Sequence, residues 1–356
     1  MKNKVSIIAP ALMGKGGTET VLLHVLNSQT LQNFFKFELV LLDEPKDQSW
    51  LSDVNSQVNV VIFSSKWRTL QYIKYLLRSK ADANLVLGPK SAFLSTIVNL
   101  ASKTKTISWI HFTLFGGDNL NPKYLRRNDG HLLISSQMVQ QFVSLGIPES
   151  KLQVVYNPVN KGSNLIELNT NKDILRLVYV GRIMLDGQKN MRYLLDTLAE
   201  LARNYSVELE IFGSGSKDEV QKYATESMKL ADSEYQIVWH GWVDNPFDAI
   251  QKVDMLVLPS KYEGFGLVVA EAISRGLPVV ATDYPVGVRD LIQVGLNGEI
   301  VPFEDVPAFA EAILRVKKYS PDIQMMIANS LENFSNDKFD SRFIQGMQAL
   351  LERKAE

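Results

Sequence analysis

No cysteine occurs in the 356 residues. That absence excludes disulfides and thiolate chemistry, and it fits a reducing compartment. There is no run of about 18 apolar residues, the length that a spanning helix needs. The apolar stretch in the opening MKNKVSIIAPALMG is too short for a secretory signal and reads as a first strand. The expected location is therefore cytoplasmic. Short-period repeats and low-complexity tracts are missing as well. Net charge is nearly absent, at −1. That balance hides an asymmetry: residues 1–165 hold 18 Lys and Arg against 10 Asp and Glu, and the remainder 20 against 29. A basic first half suits an anionic partner.

What is present reads as a globular protein of two domains. Hydrophobic residues make up 46% and charged residues 22%, ordinary for a soluble chain, and the length exceeds what one core comfortably fills. Seven strand-like runs fall in the first half, from Val5–Ala9 to Gln153–Val155. Six fall in the second, from Leu175–Val180 to Glu299–Val301. Helical patterns lie between most of them, which predicts an α/β protein with parallel, doubly wound sheets. The Asn-rich stretch 157–173 is the linker candidate. Residues 321–354 read as two closing helices.

The richest segment is YEGFGLVVAEAISRGLPVVATD, residues 262–283. The spacing predicts a strand over Asp254–Pro259, a helix over Leu267–Arg275 stopped by Gly276 and Pro278, and a second strand over Val279–Thr282. Glu263 falls in the loop and Glu271 in the helix, at the mouth of a strand-to-helix crossover, where open α/β sheets bind ligands. Gly264 and Gly266 permit a tight turn and close approach. The N–H groups around Phe265, Gly266 and Leu267 lack intrahelical partners and favour an anion or a hydroxyl-rich group. Glu271, about one turn further in, can reach a second polyol such as a ribose. An isolated pair of glutamates is ordinarily surface decoration; the Glu-Gly-Phe-Gly run argues otherwise.

This E-x7-E segment resembles that of the retaining nucleotide-sugar glycosyltransferases of family 4, and the resemblance covers nearly the whole chain. It implies a GT-B architecture, two Rossmann-like doubly wound domains facing a central cleft. Residues 1–160, with a C-terminal helix returning at about 338–356, would form the acceptor-side domain. Residues 161–337 would bind the nucleotide sugar.

The remaining motifs fit that resemblance. Met13-Gly-Lys-Gly-Gly-Thr-Glu19 follows the first strand, and Gly14, Gly16 and Gly17 are expected to leave N–H groups open near a helix start at Thr18. The dinucleotide fingerprint fails because Glu19 stands where its third glycine belongs, and no Walker Lys-Ser/Thr follows. By resemblance Gly16 and Gly17 line the cleft near the donor phosphates.

Arg182 ends a strand and Lys189 follows in IMLDGQKN. Both suit a diphosphate, one as a planar fork and one as a point charge. The family usually spaces them more closely; the seven-residue separation resembles the bacterial lipopolysaccharide-core galactosyltransferase branch. The resemblance assigns His111 to sugar positioning at the reaction centre, where its protonation near neutral pH would also count. Asp118 is a weaker acceptor-side candidate. Gly213, Trp242 and Val243 would bound the nucleotide, although Trp242 could instead be core.

The stretch Lys66–Lys80 combines five cations with Trp67, Tyr72 and Tyr75 at helical spacing. It reads either as a core-facing helix with a basic outer face or as an interfacial helix. The second reading implies peripheral contact with the inner face of the plasma membrane and a lipid-linked acceptor.

The implied reaction is transfer of a hexose, galactose or glucose, from a UDP-sugar to a hydroxyl of a lipid-linked or cell-surface glycan. Anomeric configuration would be retained by front-face attack. Glu263, His111, Arg182 and Lys189 would be catalytic. No cofactor is implied, and the lack of any Asp-x-Asp fits a site without metal. No nucleic acid is expected as partner. Other expectations consistent with the residues are a GT-B epimerase acting on free nucleotide sugar, a silent partner subunit of another transferase, and a transferase with a small soluble acceptor.

Overall fold

The structure is a computed structural model that describes all residues except 1, 11, 15, 64–65, 101, 116–120, 163 and 354–356. The candidate Asp118 lies outside the described residues. The chain divides into two compact units, Met1–Pro158 with Asn336–Glu356, and Val159–Ser335.

The first unit is built on a seven-stranded sheet. Its strands are β1 (Asn3–Ala9), β2 (Phe35–Leu41), β3 (Asn59–Ile62), β4 (Ala83–Val86), β5 (Lys105–Ile110), β6 (Gly130–Leu133) and β7 (Leu152–Val154). All pairs are parallel, in the order β3-β2-β1-β4-β5-β6-β7. The second unit has six parallel strands: β8 (Ile174–Val180), β9 (Ser206–Phe212), β10 (Gln236–Gly241), β11 (Met255–Leu258), β12 (Val279–Thr282) and β13 (Gly298–Val301). Their order is β10-β9-β8-β11-β12-β13. The α/β, doubly wound expectation holds for both sheets. Central strands such as β4, β11 and β12 are buried at every residue, as expected where helices cover both faces. The strand order reverses between β1 and β4 in one sheet and between β8 and β11 in the other. These reversals fix the crevices at which such sheets take ligands.

Packing helices follow the apolar periodicity. Helix Met191–Leu201 buries eight of its 11 residues. The final helix, Asn336–Glu352, belongs to the first unit. Phe343 lies edge-on to Phe35, Phe37 and Trp109, and Asp340 accepts from His24 at 2.8 Å and from Ser28 at 2.5 Å. Between the short helix Gln324–Asn329 and this long one, a single 3-10 turn spans Glu332–Phe334.

The polar stretch after residue 157 is not a loose linker. Ile166 N–H donates to Arg275 O at 3.0 Å, Leu168 bridges Val253, and Val159 N–H donates to Phe334 O at 2.8 Å. Its backbone groups are satisfied by the second unit.

Helix Arg68–Arg78 is amphipathic in an unusual sense. Its inner face offers tyrosine hydroxyls to polar partners: Tyr75 donates to Ser6 Oγ at 2.8 Å, and Tyr72 pairs with Ser95. Its outer face carries Leu70 (59% exposed) and Leu77 (70%), next to Trp67 (71%) just before the helix. The basic outer face expected from sequence is therefore apolar and basic together.

Candidate active site

Two loops leave the ligand-facing ends of β8 and β11, the strands that flank the reversal in the second sheet. The loop after β8 carries Arg182 and Lys189; the loop after β11 carries Glu263 and leads into helix Leu267–Ser274. Lys189 Nζ lies 2.6 Å from Glu263 Oε1, and both side chains are nearly buried. Sequence reasoning places both at the ligand but does not show that they neutralise each other. Arg182 stays exposed and donates to Gln188 Oε1 at 2.5 Å.

The seven-residue separation of Arg182 and Lys189 is absorbed by a folded loop. Ile183 N–H donates to Ser214 O, and the carbonyls of Met184 and Leu185 accept from Met191 and Arg192. Asp186 accepts from Nε and Nη2 of Arg192, each at 2.8 Å. That bond holds its carboxyl below the usual carboxylate range. Gln188 ties the two loops together: its side chain donates to Tyr262 O at 3.0 Å, and its carbonyl accepts from Lys261 N–H at 2.8 Å.

Glycine geometry explains how close these loops lie. A Cβ on Gly213 would stand 1.8 Å from Gly181 O, and Gly213 has φ +154. Gly213 N–H is already donated to Gly241 O at 2.7 Å, so its contribution to a ligand is its missing side chain. Gly266 (φ +89) is the N-cap of helix Leu267–Ser274. Its missing Cβ leaves room for the Tyr284 hydroxyl, which would otherwise be 2.1 Å away. Gly287 likewise makes room for Phe265 O. The loop after β12 thus props the Glu263–Gly266 turn from below, a support that sequence reasoning does not supply.

Glu271 sits in the helix as expected. Part of its surface remains exposed, yet its carboxyl is desolvated, which pushes it up to about 7 against a smaller lowering by Arg275. Tyr179 and Tyr284 are fully buried near Glu263, and burial first, then that carboxylate, raises both phenols far above their ordinary range. Both are neutral hydrogen-bond donors at any working pH. Tyr179 donates to Arg182 O at 2.7 Å. Tyr284 Oη, Ser260 Oγ and Asn190 Nδ2 are buried with no hydrogen-bond partner among the described residues. Val243 adjoins Trp242, which is 49% exposed with its indole N–H on Asp244 at 3.2 Å; Trp242 is not core.

Two expectations in the first unit are corrected. Gly14 N–H is not open to a ligand, because the buried Glu19 carboxylate accepts it at 2.7 Å. Glu19, the residue that breaks the dinucleotide fingerprint, fills the place of an anion; Gly16 and Gly17 lie at the start of helix Gly17–Asn27. His111, after β5, packs edge-on to Trp109 at 4.5 Å. The residue is partly exposed, but its ring Nε2 is buried with no hydrogen-bond partner among the described residues, and desolvation lowers the imidazole to about 3, which weighs against a charge change near neutral pH.

Arg182, Lys189, Glu263 and the start of helix Leu267–Ser274 thus gather at the reversal point of the second sheet. Residues 175–318 match the family described as glycosyl transferases group 1. The lipopolysaccharide 1,6-galactosyltransferase of Escherichia coli is 27% identical over 366 residues, 99% of each chain. That of Salmonella typhimurium is 28% identical over 374 residues, 98% of this chain and all of its own. Residues 175–318 thus carry the group 1 (family 4) glycosyltransferase segment, and the whole chain aligns with glycosyltransferases of that kind. Among solved structures of this GT-B fold, the apo form of the lipopolysaccharide outer core galactosyltransferase WaaB superposes with a TM-score of 0.84. It is 26% identical over 97% of this chain and 99% of its own. Anabaena HepE in complex with UDP-glucose shares the fold, with a TM-score of 0.74 at 15% identity, over 97% of this chain and 99% of its own. Among the described residues no helix is long and apolar enough to cross a membrane.

Proposed function

We propose that this glycosyltransferase moves galactose or glucose from a UDP-sugar to a hydroxyl of a lipid-linked or cell-surface glycan, with retention at the anomeric carbon. The observation that carries the reading is the convergence of Arg182, Lys189 and Glu263 on the strands that flank the reversal of the second sheet. Full-length likeness to two lipopolysaccharide galactosyltransferases supports the sugar and acceptor classes, and the UDP-glucose complex of HepE supports a UDP-linked donor.

In this reading the leaving nucleoside diphosphate gathers negative charge as the glycosidic bond breaks. Arg182, Lys189 and the N–H groups of Phe265, Gly266 and Leu267 stabilise that charge. Glu263 accepts from hydroxyls of the donor sugar, and Glu271 from the ribose. Gly213, Trp242, Val243 and Gly264 bound the nucleotide. The acceptor attacks from the face that the diphosphate leaves, and a phosphate oxygen takes its proton. Helix Arg68–Arg78 rests on an anionic membrane surface, which brings a lipid-linked acceptor within reach.

The test is hydrolysis of a panel of nucleotide sugars by purified protein, with and without EDTA, against Glu263→Ala. Slow release of UDP from one donor, abolished in the variant, is the expected result and names the sugar. No turnover and no nucleotide-induced thermal shift on any donor would overturn the reading.

A further inference from the structure

Tyr284 lies two residues past the end of β12, at the ligand-facing edge of the second sheet. Its ring and hydroxyl are fully buried, and the hydroxyl has no hydrogen-bond partner among the described residues. Leaving a buried hydroxyl unpaired is costly, so such a group calls for a partner gained in another state. The hydroxyl lies directly under Gly266, 2.1 Å from where a Cβ would be, so glycine at 266 is what admits it. Glu263 is three residues before that glycine, in the turn under which the Tyr284 hydroxyl lies, and after burial its charge is the next cause that raises the Tyr284 phenol. The same carboxylate is held by Lys189 at 2.6 Å. A diphosphate competes for that lysine, and a nearly buried carboxylate that loses its cation needs another donor.

We propose that Tyr284 is a positioning residue for Glu263: when a donor's diphosphate draws Lys189 away, the Tyr284 hydroxyl donates to the carboxylate left behind and holds it toward the sugar. The inference rests on the glycosyltransferase reading above. It accounts for three features together: the orphaned hydroxyl, the glycine that makes room for it, and an ion pair that a ligand must open. A neutral phenol suits the task, because it orients the carboxylate without competing for the diphosphate.

The experiment compares wild type with Tyr284→Phe in three readouts: thermal unfolding without ligand, UDP binding by calorimetry, and kcat and KM for hydrolysis of the preferred donor. The ligand-free variant is expected to unfold at the wild-type temperature or above it, since no bond is lost. UDP affinity is expected to stay within about twofold, while kcat falls about tenfold, the effect of one lost hydrogen bond to a charged group. A variant with wild-type kcat would overturn the role, as would a lower unfolding temperature, which would mark the hydroxyl as structural. A wild-type protein that turns over no nucleotide sugar would overturn the function reading itself, and so is distinguishable from failure of the Tyr284 assignment alone.

Discussion

Lys189 Nζ and Glu263 Oε1 are 2.6 Å apart, on side chains only 10% and 11% exposed. Their loops belong to neighbouring strands, so the pair spans the reversal point of the second sheet. Each group satisfies the other. In the proposed reading a donor separates them, which would couple diphosphate capture by the lysine to release of the carboxylate for the sugar.

Breaking this pair from one side leaves an uncompensated buried charge. Lys189→Met is expected to destabilise the protein by about 3–5 kcal/mol, whereas Lys189→Met/Glu263→Gln, which removes both charges, recovers most of that loss. Urea unfolding of wild type, both single variants and the double variant measures the coupling. Additive effects would show that the two groups do not interact. The double variant stays inactive however stable it is.

Glu271 gives a pH dependence with a definite sign. Its folded-state value of about 7 lies above the ordinary 4.5, so the folded protein keeps a proton that the unfolded chain has released. Stability contributed by this group is therefore intact below the ordinary value, falls as pH rises between the two, and stays low above the folded one. Glu271→Gln is expected to be neutral near pH 4 and to stabilise by about 1–3 kcal/mol at pH 8. Donor binding runs the other way. Only the ionised carboxylate accepts from both ribose hydroxyls, so wild-type donor affinity should weaken as pH falls below 7, and the Gln variant should lack that dependence. Thermal unfolding and calorimetry at the two pH values check both halves.

The sheets, and the places that the candidate site residues take in them, are legible in the sequence because their signals are local. Buried parallel strands such as β11 and β12 are continuous apolar runs, and Glu263, Gly266 and Glu271 fall at fixed offsets from a helix start. What escapes depends on distant partners. The Lys189–Glu263 pair joins residues 74 apart in sequence, and Tyr284 reaches Gly266 from a different strand. One signal is available: Tyr284 stands two residues past a buried strand, at the edge where open α/β sheets take ligands. Glu19 is visible in sequence only as a broken fingerprint, because its bond to Gly14 N–H depends on a turn with positive φ. The desolvation of the His111 ring, which weighs against titration near neutral pH, depends on tertiary packing and is not visible in sequence.

His111 is expected to be silent in titration. With its imidazole lowered to about 3 by burial, its ring resonances should not shift between about pH 5 and 8, the range in which ordinary histidines change charge. Two-dimensional NMR, with the signal assigned through His111→Gln, measures this. An inflection near neutrality would show that the ring is open to water. Any limb in the pH–rate profile in that range would then belong to Glu271 before His111.

Two glycines with positive φ separate backbone strain from steric conflict. At Gly295 (φ +81) a Cβ would have no described atom within 4 Å, whereas a Cβ on Gly213 (φ +154) would fall 1.8 Å from Gly181 O. Gly295→Ala should cost about 1 kcal/mol, the usual effect of forcing a side chain into the left-handed region. Gly213→Ala must also push apart the β8 and β9 loops, so it should cost at least about 2 kcal/mol and weaken UDP binding. Equal costs, measured by urea unfolding, would mean that the loops yield freely.

The membrane prediction follows from the two faces of helix Arg68–Arg78. Its inner face is held by tyrosine hydroxyls and by Leu76, while Leu70 and Leu77 remain exposed outside. Trp67 precedes the helix at 71% exposure, and Lys66, Arg68, Lys74, Arg78 and Lys80 accompany the apolar groups, with no acidic residue in the stretch. Apolar side chains that enter a lipid interface and cations that pair with its headgroups reinforce each other. Protein mixed with vesicles containing anionic lipid should float with them, and far less with neutral vesicles. Neutralising Lys66, Arg68, Lys74 and Arg78 together should weaken the association by on the order of 4 kcal/mol, at about 1 kcal/mol per cation near the surface. Leu70→Ser/Leu77→Ser should weaken binding to both kinds of vesicle while leaving the salt dependence in place. UDP release from free donor should be unchanged in either variant, since both alter the first unit, whereas the Arg182, Lys189 and Glu263 loops belong to the second. Unchanged flotation after the fourfold neutralisation would sink the membrane role and leave these side chains as ordinary surface.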